Sequence, residues 1–140
     1  MTVPGRIRVS AYAVVLHEQS VLMSRVAPGN LGAGTWTLPG GGLAFGEHPD
    51  DALLRELYEE TGLRGKIVEP IGVDSRHVPA GRRAGVEATH WIRIYYRVSA
   101  LGEPRAIEVG GSADLAAWHP LDHLPEVSEL AVGALARVGT

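Results

Sequence analysis

Apolar, β-branched runs alternate with polar or glycine-rich stretches along most of this chain. We predict strands in the apolar, β-branched runs, which are residues 8–17, 21–26, 36–42, 66–76, 90–101 and 115–121. The short polar turn between the first two runs favours a hairpin. We predict loops in the polar or glycine-rich stretches, which are residues 27–35, 77–89 and 102–114.

One segment has clear helix start and stop signals. Gly46 or His48 can cap a helix, and Pro49 suits the first helical position, where a missing N–H costs nothing. Gly62 suits a left-handed stop at the other end. The sequence therefore predicts a helix at about residues 49–61.

A second helix is predicted over residues 122–138, at the end of the chain. Strands interrupted by two helices are typical of an α/β domain whose helices cover a mixed sheet. The length of 140 residues fits one such domain, spanning residues 1–140.

Composition and charge narrow the class of protein. The formal net charge of −3 gives no reason to expect a nucleic-acid polymer as partner. The absence of cysteine excludes disulfides, thiolate metal sites and cysteine nucleophiles, and it fits a reducing cytoplasm. The sequence has no secretion signal and no apolar run as long as a membrane span, so we expect a cytoplasmic protein without a membrane partner.

The first predicted helix gathers three acids on one face. At about 100° per residue, Glu56, Glu59 and Glu60 share an arc of roughly 100°. Like charges at this spacing oppose helix stability by a few tenths of a kcal/mol per pair, so a purely structural helix has little reason to collect them. A hard divalent cation such as magnesium gives a reason, because it prefers carboxylate oxygens.

Two neighbours of the acids support a metal site. Arg55 lies at the edge of the same arc and reaches Glu59 four residues on, so its guanidinium can orient a carboxylate. Gly40 and Gly41 lack side chains, so the backbone can approach an ion or a phosphate, and a peptide carbonyl can act as a ligand. The alternative is a solvated face that is merely acidic.

The spacing of the whole stretch resembles the signature of the Nudix hydrolase family. The matching positions are Gly41, Glu47, Arg55, Glu56, Leu57, Glu59, Glu60, Gly62 and Leu63. The segments WTLPGG and WHPLDHLP, before and after this stretch, also look like the family. The resemblance implies a Nudix fold, a three-layer α/β/α sandwich with a mixed β-sheet.

The resemblance also implies hydrolysis of a nucleoside diphosphate linked to another group, with Mg²⁺ or Mn²⁺ as cofactor. Glu56, Glu59 and Glu60 would hold the metal, and the Gly40 carbonyl is a further candidate ligand. Arg55 would orient an acid and Glu47 would support the loop. The general base differs between members of the family and is here either Glu56 or a glutamate from a later loop.

The sequence leaves the roles of several other residues undecided. Glu87, Glu108 and Asp114 lie in predicted polar loops, and one of them, or none, would complete the site. Arg25, Gly41 and Glu47 are candidates for contact with substrate, although a solvated role fits Arg25 equally well. The aromatics Trp91, Tyr95 and Tyr96 fit either base stacking or core packing. Arg82 and Arg83 face either phosphates or water.

The substrate is the least determined feature. We expect a normal or oxidised nucleoside triphosphate, cleaved to a monophosphate and pyrophosphate, ahead of ADP-ribose or another nucleotide sugar. Pro79, 16 residues after Leu63, is a feature of members that act on ADP-ribose. A rival of another class is a nucleotide-sensing Nudix domain without turnover, although such domains usually have a broken signature. Homodimers are common in the family, but no interface is visible in the sequence.

Overall fold

The computed structural model describes residues 5–80 and 87–139, so the arginines Arg82 and Arg83 lie outside the described residues. In chain order the elements are β1 (Gly5–Val14), β2 (Leu16–His17), β3 (Ser20–Val26), β4 (Trp36–Thr37), β5 (Gly40–Gly42), α1 (Pro49–Thr61), β6 (Lys66–Val78), β7 (Ala88–Ser99), β8 (Ala113–Pro120) and α2 (Glu129–Arg137). No helix in the described ranges is long and apolar enough to span a membrane.

The strands form two sheets. The first has the strand order β5-β1-β7-β6, with β1 parallel to β7 and the other pairs antiparallel, so it is mixed, as predicted. In the second sheet, β3 pairs antiparallel with β2, β4 and β8. The predicted hairpin is β2–β3, and its turn residues Glu18 and Gln19 have φ of 48° and 65°. Two successive positive φ values are typical of the tight turn that matches strand twist.

Two predicted strands each divide between the sheets. The run 8–17 leaves the first sheet after Val14 and pairs with β3 in the second sheet from Leu16 onwards. The run 36–42 likewise divides into β4 and β5 around Pro39, which has no N–H to offer a ladder. Periodicity predicts an extended backbone but does not specify the sheet that the backbone joins.

Helix α1 has the bounds that its end signals predict. The His48 side chain accepts a hydrogen bond from the Asp50 N–H (3.0 Å), and Gly62 ends the helix with φ of 72°. The apolar face of the helix, which includes Leu53 and Leu57, packs on the first sheet within one hydrophobic cluster. With this face on the sheet, the helical spacing decides the side on which the acids of α1 lie.

Helix α2 begins at Glu129, so the predicted start at residue 122 is wrong. The preceding segment hydrogen-bonds to β4 instead: the Trp36 N–H donates to the Glu126 carbonyl (2.9 Å), and the Ser128 N–H donates to the Trp36 carbonyl (2.8 Å). Ser128 then caps the helix by accepting from the Ala131 N–H. Because the backbone of this segment is committed to a strand neighbour, it cannot also be helical.

A buried arginine ties α2 to the first sheet. Arg93 is only 8% exposed. Its guanidinium donates to Asp74 (2.7 Å) and to Glu129 (2.7 Å), and the Tyr95 hydroxyl donates to Asp74 (3.1 Å). These contacts hold the start of α2 over the face of the sheet opposite α1.

Replacing Asp74 by alanine is expected to lower the free energy of unfolding by about 2–3 kcal/mol, because it leaves a buried guanidinium short of an acceptor. The matched control is Glu69→Ala, since the Glu69–Arg97 pair is exposed and 3.6 Å apart, and such pairs contribute below about 1 kcal/mol. Urea unfolding measures both. Equal losses in the two variants would show that the Arg93 network contributes no more than a surface pair.

Candidate active site

Helix α1 and the loop before β8 form an acidic cavity of about 170 Å³. Its lining residues are Glu56, Glu59, Glu60, Glu108, Gly111, Ser112 and Ala113. The loop is held against the end of α1 because the N–H groups of Ile107 and Glu108 both donate to the Glu59 carbonyl (2.9 and 3.1 Å). The structure thus brings together the three helix acids and one distal acid.

The other two distal candidates do not line this cavity. Asp114 lies in β8, and both of its oxygens accept from Arg25 (2.9 and 2.8 Å). Glu87 is exposed just before β7. Of the three acids that the sequence left open, Glu108 is therefore the one that lines the cavity, and its completing the site stays a prediction. Arg25 is neutralised by Asp114, and its contact with substrate stays a prediction.

Glu60 is the most buried acid of the cluster. It is 8% exposed, and it accepts from the Gly40 N–H (2.8 Å) and from the Ser112 hydroxyl (3.1 Å). Burial, with a smaller contribution from the nearby Glu56, raises the pKa of Glu60 to about 8, although the Gly40 hydrogen bond opposes the shift. A carboxylate in this environment is costly to ionise unless a cation compensates its charge. Sequence reasoning missed Ser112, because only acids were considered in its loop.

Arg55 is the cation of the cluster. Its guanidinium makes two hydrogen bonds to Glu47 (2.9 and 2.8 Å), one to Glu56 (2.9 Å) and one to Glu59 (3.3 Å). Arg55 holds the pKa of Glu47 down at about 2, with help from the Ala44 N–H. Burial raises the pKa of Glu56, although Arg55 opposes that shift. The geometry therefore allows Arg55 to orient two acids of the cavity while Glu47 holds it in place.

Two glycines beside the acids have no room for a side chain. At Gly40, with φ of 151°, a Cβ atom would lie 2.2 Å from the Ala11 carbonyl oxygen. At Gly41, a Cβ would lie 2.9 Å from the carboxylate carbon of Glu56. The missing side chains thus let the backbone of β5 lie close to β1 at Gly40 and close to the Glu56 carboxylate at Gly41.

The donor set fits a hard divalent cation. Arg55 contacts three acids, Glu47, Glu56 and Glu59. Glu60 and Glu108 line the same cavity as Glu56 and Glu59, so the cluster carries an excess of negative charge when ionised. All of the offered ligand atoms are oxygens, which magnesium and manganese prefer. Across residues 5–80 and 87–139, no three acidic or histidine side chains are already gathered closely enough to hold one ion. Binding therefore requires some carboxylates to turn from their present partners.

A larger cavity of about 730 Å³ continues from the acids. Glu56 and Glu60 line both cavities, and the walls of the larger one include Arg8, Tyr12, Ser24, Thr37, Trp91 and Leu130. Trp91 thus lies at the cavity, whereas Tyr95 and Tyr96 are buried in the hydrophobic clusters. Sequence reasoning missed Arg8, although strand alternation puts it on the same face of β1 as Tyr12.

Removing the guanidinium of Arg55 is expected to impair catalysis more than folding. Arg55→Ala should lower kcat by about 10- to 100-fold, the usual cost of losing a group that orients metal ligands. Arg55→Lys keeps the charge but not the fork that contacts Glu47, Glu56 and Glu59 together, so we expect an intermediate loss. Steady-state kinetics with a melting curve measures both effects. A lower melting temperature with unchanged kcat would make Arg55 purely structural.

The comparisons with known proteins agree on one family. A family model described as NUDIX domain matches residues 6–137. A MutT-like protein from Streptomyces ambofaciens is 40% identical over 72 residues, which cover 51% of this chain and 45% of that protein. The protein named Putative 8-oxo-dGTP diphosphatase 2 from Mycobacterium tuberculosis is 42% identical over 99 residues, covering 70% of this chain and 64% of that protein. The chain thus spans less than two thirds of the length of either relative.

A solved structure supports the same assignment over nearly the whole chain. The crystal structure of a MutT NUDIX hydrolase from Burkholderia pseudomallei is 27% identical, with a TM-score of 0.77, and the match covers 94% of this chain and 98% of that one. The α/β fold predicted from the sequence, with helices on a mixed sheet, is therefore confirmed.

Proposed function

Because the chain belongs to the Nudix family, whose model matches residues 6–137, we propose that it is a divalent-metal-dependent pyrophosphohydrolase. Its substrate is a nucleoside diphosphate linked to a further group. The observation that carries the proposal is the acidic cavity of α1, which shares Glu56 and Glu60 with a second cavity large enough for a nucleotide. An acidic surface patch without function would not need a glycine at position 41, where an added side chain would meet the Glu56 carboxylate.

Glu56, Glu59 and Glu60 would hold the metal, with the Gly40 carbonyl as a further ligand. Mg²⁺ is the first candidate and Mn²⁺ the second. The ion supplies positive charge beside the diphosphate and Lewis acidity. The buried Glu60 is the acid with most to gain from that charge, because burial disfavours its ionised form.

The remaining acidic and basic residues would orient the metal ligands and take a proton from the attacking water. Arg55 fixes the orientation of Glu56 and Glu59, and Glu47 fixes Arg55. Glu56 and Glu108 are the two candidates for the base that takes a proton from the attacking water. Glu56 has a pKa raised by burial, which brings a base nearer to the working pH. Glu108 comes from a later loop and also faces the cavity.

A nucleoside triphosphate, normal or oxidised, is the proposed substrate, giving a monophosphate and pyrophosphate. The relative from Mycobacterium tuberculosis, named for 8-oxo-dGTP, supports this choice. ADP-ribose or another nucleotide sugar is the second candidate, since Pro79 matches a feature of that group and is exposed before β7. A nucleotide sensor without turnover is the alternative of another class, and the complete set of acids speaks against it.

Hydrolysis of a substrate panel with Mg²⁺ tests the proposal. The panel holds the common and oxidised nucleoside triphosphates, ADP-ribose, a dinucleoside polyphosphate and NADH, with Glu59→Gln as control. One substrate far ahead of the others, and not cleaved by the variant, would establish the enzyme and name its class. Binding of one compound without any turnover would favour the sensor instead.

A further inference from the structure

One arginine in the wall of the larger cavity has no acidic partner. Arg8 is partly buried in β1 and lines the cavity together with Glu56 and Glu60. Among the residues that the structure describes, no carboxylate lies within 4.0 Å of its guanidinium, and residues 1–4 and 81–86 contain no aspartate or glutamate. A guanidinium in a cavity wall with no acid beside it keeps its donors available for an anionic ligand.

The other arginines that the structure describes near the site each have an acidic partner. Arg25 is paired with Asp114, and Arg55 with its three glutamates. Arg76 also lines the cavity, but it is paired with Glu129 at 3.0 Å. Of the described residues in the cavity wall, Arg8 is therefore the cation that is free to meet an anion.

The surroundings of Arg8 leave its guanidinium accessible and oriented. Its central carbon lies 5.6 Å from the ring centre of Trp91, a distance at which a cation and an indole attract. On the other side, Nη2 lies 3.0 Å from the point where a Cβ of Gly42 would be. Gly42 is next to Gly41, whose missing side chain accommodates Glu56. Because successive residues of a strand face opposite sides, Arg8 and Glu56 lie at opposite faces of β5, and both line the larger cavity.

We infer that Arg8 is a substrate-binding residue that donates hydrogen bonds to phosphoryl oxygens of the bound nucleotide, with Trp91 holding its guanidinium in place. The inference rests on the proposed function, since it assumes a phosphorylated ligand in this cavity. A planar guanidinium suits two phosphoryl oxygens at once, and its charge-assisted hydrogen bonds would add to the attraction that the metal ion exerts on a polyanion. Because this contact is the same in ground state and transition state, it acts on KM rather than on kcat.

Steady-state kinetics of Arg8→Gln tests the inference, with Arg6→Gln as the matched control. Arg6 is exposed two residues earlier on β1 and does not line the cavity. We expect Arg8→Gln to raise KM at least 10-fold and to change kcat less than about threefold, with an unchanged melting temperature. Arg8→Lys should fall between the wild type and Arg8→Gln, since it keeps the charge and loses the fork. Arg6→Gln should behave as the wild type.

The outcomes separate the inference from the proposed function. If the wild type is active and Arg8→Gln has the KM of Arg6→Gln, the inference is overturned while the proposed function stands. If Arg8→Gln only lowers the melting temperature, Arg8 is a structural partner of Trp91 and the inference is again overturned. If the wild type cleaves nothing in the panel, the proposed function fails, and calorimetric titration with pyrophosphate and Mg²⁺ decides: weaker binding in Arg8→Gln than in Arg6→Gln supports the inference, and equal binding overturns it.

Discussion

Glutamine in place of Glu60 is expected to lower metal-dependent turnover by about two orders of magnitude or more. The change keeps the size of the side chain but removes a negative oxygen from the acidic cavity, so the ion that compensates the substrate charge binds more weakly and is less well placed. A loss of about 3 kcal/mol of transition-state stabilisation, within the range expected for metal-assisted catalysis, corresponds to somewhat more than 100-fold in rate. Glu59→Gln is expected to show the same direction of effect.

The melting temperature of Glu60→Gln distinguishes a loss of catalysis from simple misfolding. Glu60 is buried, and burial disfavours its charged form, so a neutral amide in its place should leave the melting temperature of the metal-free protein unchanged or higher. The matched control is Asp51→Asn, an exposed acid in the first turn of α1, which should keep full activity. Unchanged turnover in both Glu59→Gln and Glu60→Gln would contradict the metal assignment.

Alanine in place of Gly40 is expected to destabilise the fold by about 3 kcal/mol or more. Its Cβ would lie 2.2 Å from the Ala11 carbonyl oxygen and 2.7 Å from the Tyr12 Cα, and φ is 151°. Both contacts are with backbone of β1, which lies between β5 and β7 and cannot move aside. Strain and overpacking of this kind belong to the most damaging class of substitutions.

Thermal unfolding measures this loss, which should lower Tm by roughly 10 °C for a chain of this size. The control is Gly133→Ala on α2, where no atom lies within 4 Å of the added Cβ. A helical glycine in open space gains about 0.4–1 kcal/mol from alanine, so the control should move Tm slightly upward. A Gly40→Ala variant that melts within about 2 °C of the wild type would show that β1 and β5 tolerate a side chain at this contact.

Helix caps and helical spacing predicted the part of the site that lies on α1. The caps His48 and Gly62 mark the ends of α1 with local signals, and the helical spacing groups its acids on one face. The reach of Arg55 to Glu59 follows from the same helical spacing. Such features could be predicted because one helix contains all the atoms that decide them.

Features that depend on distant pairings could not be predicted in the same way. Glu108 reaches the cavity because its loop donates two N–H groups to the Glu59 carbonyl, whereas Asp114 enters β8 and meets Arg25. The sequence does not distinguish Glu108 from Asp114, because both lie in the same polar, glycine-containing stretch. The late start of α2 has a similar cause, since the pairing of Trp36 with the residues before Ser128 competes with helix formation.

The central claim is that this chain uses a divalent metal to cleave a diphosphate bond of a nucleotide. Phosphorus NMR of each substrate in the panel, with the wild type in Mg²⁺ and then in excess EDTA, tests it most directly, because the spectrum identifies the bond that is broken. We predict that one nucleotide gives a monophosphate together with pyrophosphate or a phosphorylated second product, and that EDTA stops the reaction. Turnover that continues in EDTA, or no cleavage of any diphosphate bond in the panel, would contradict the account.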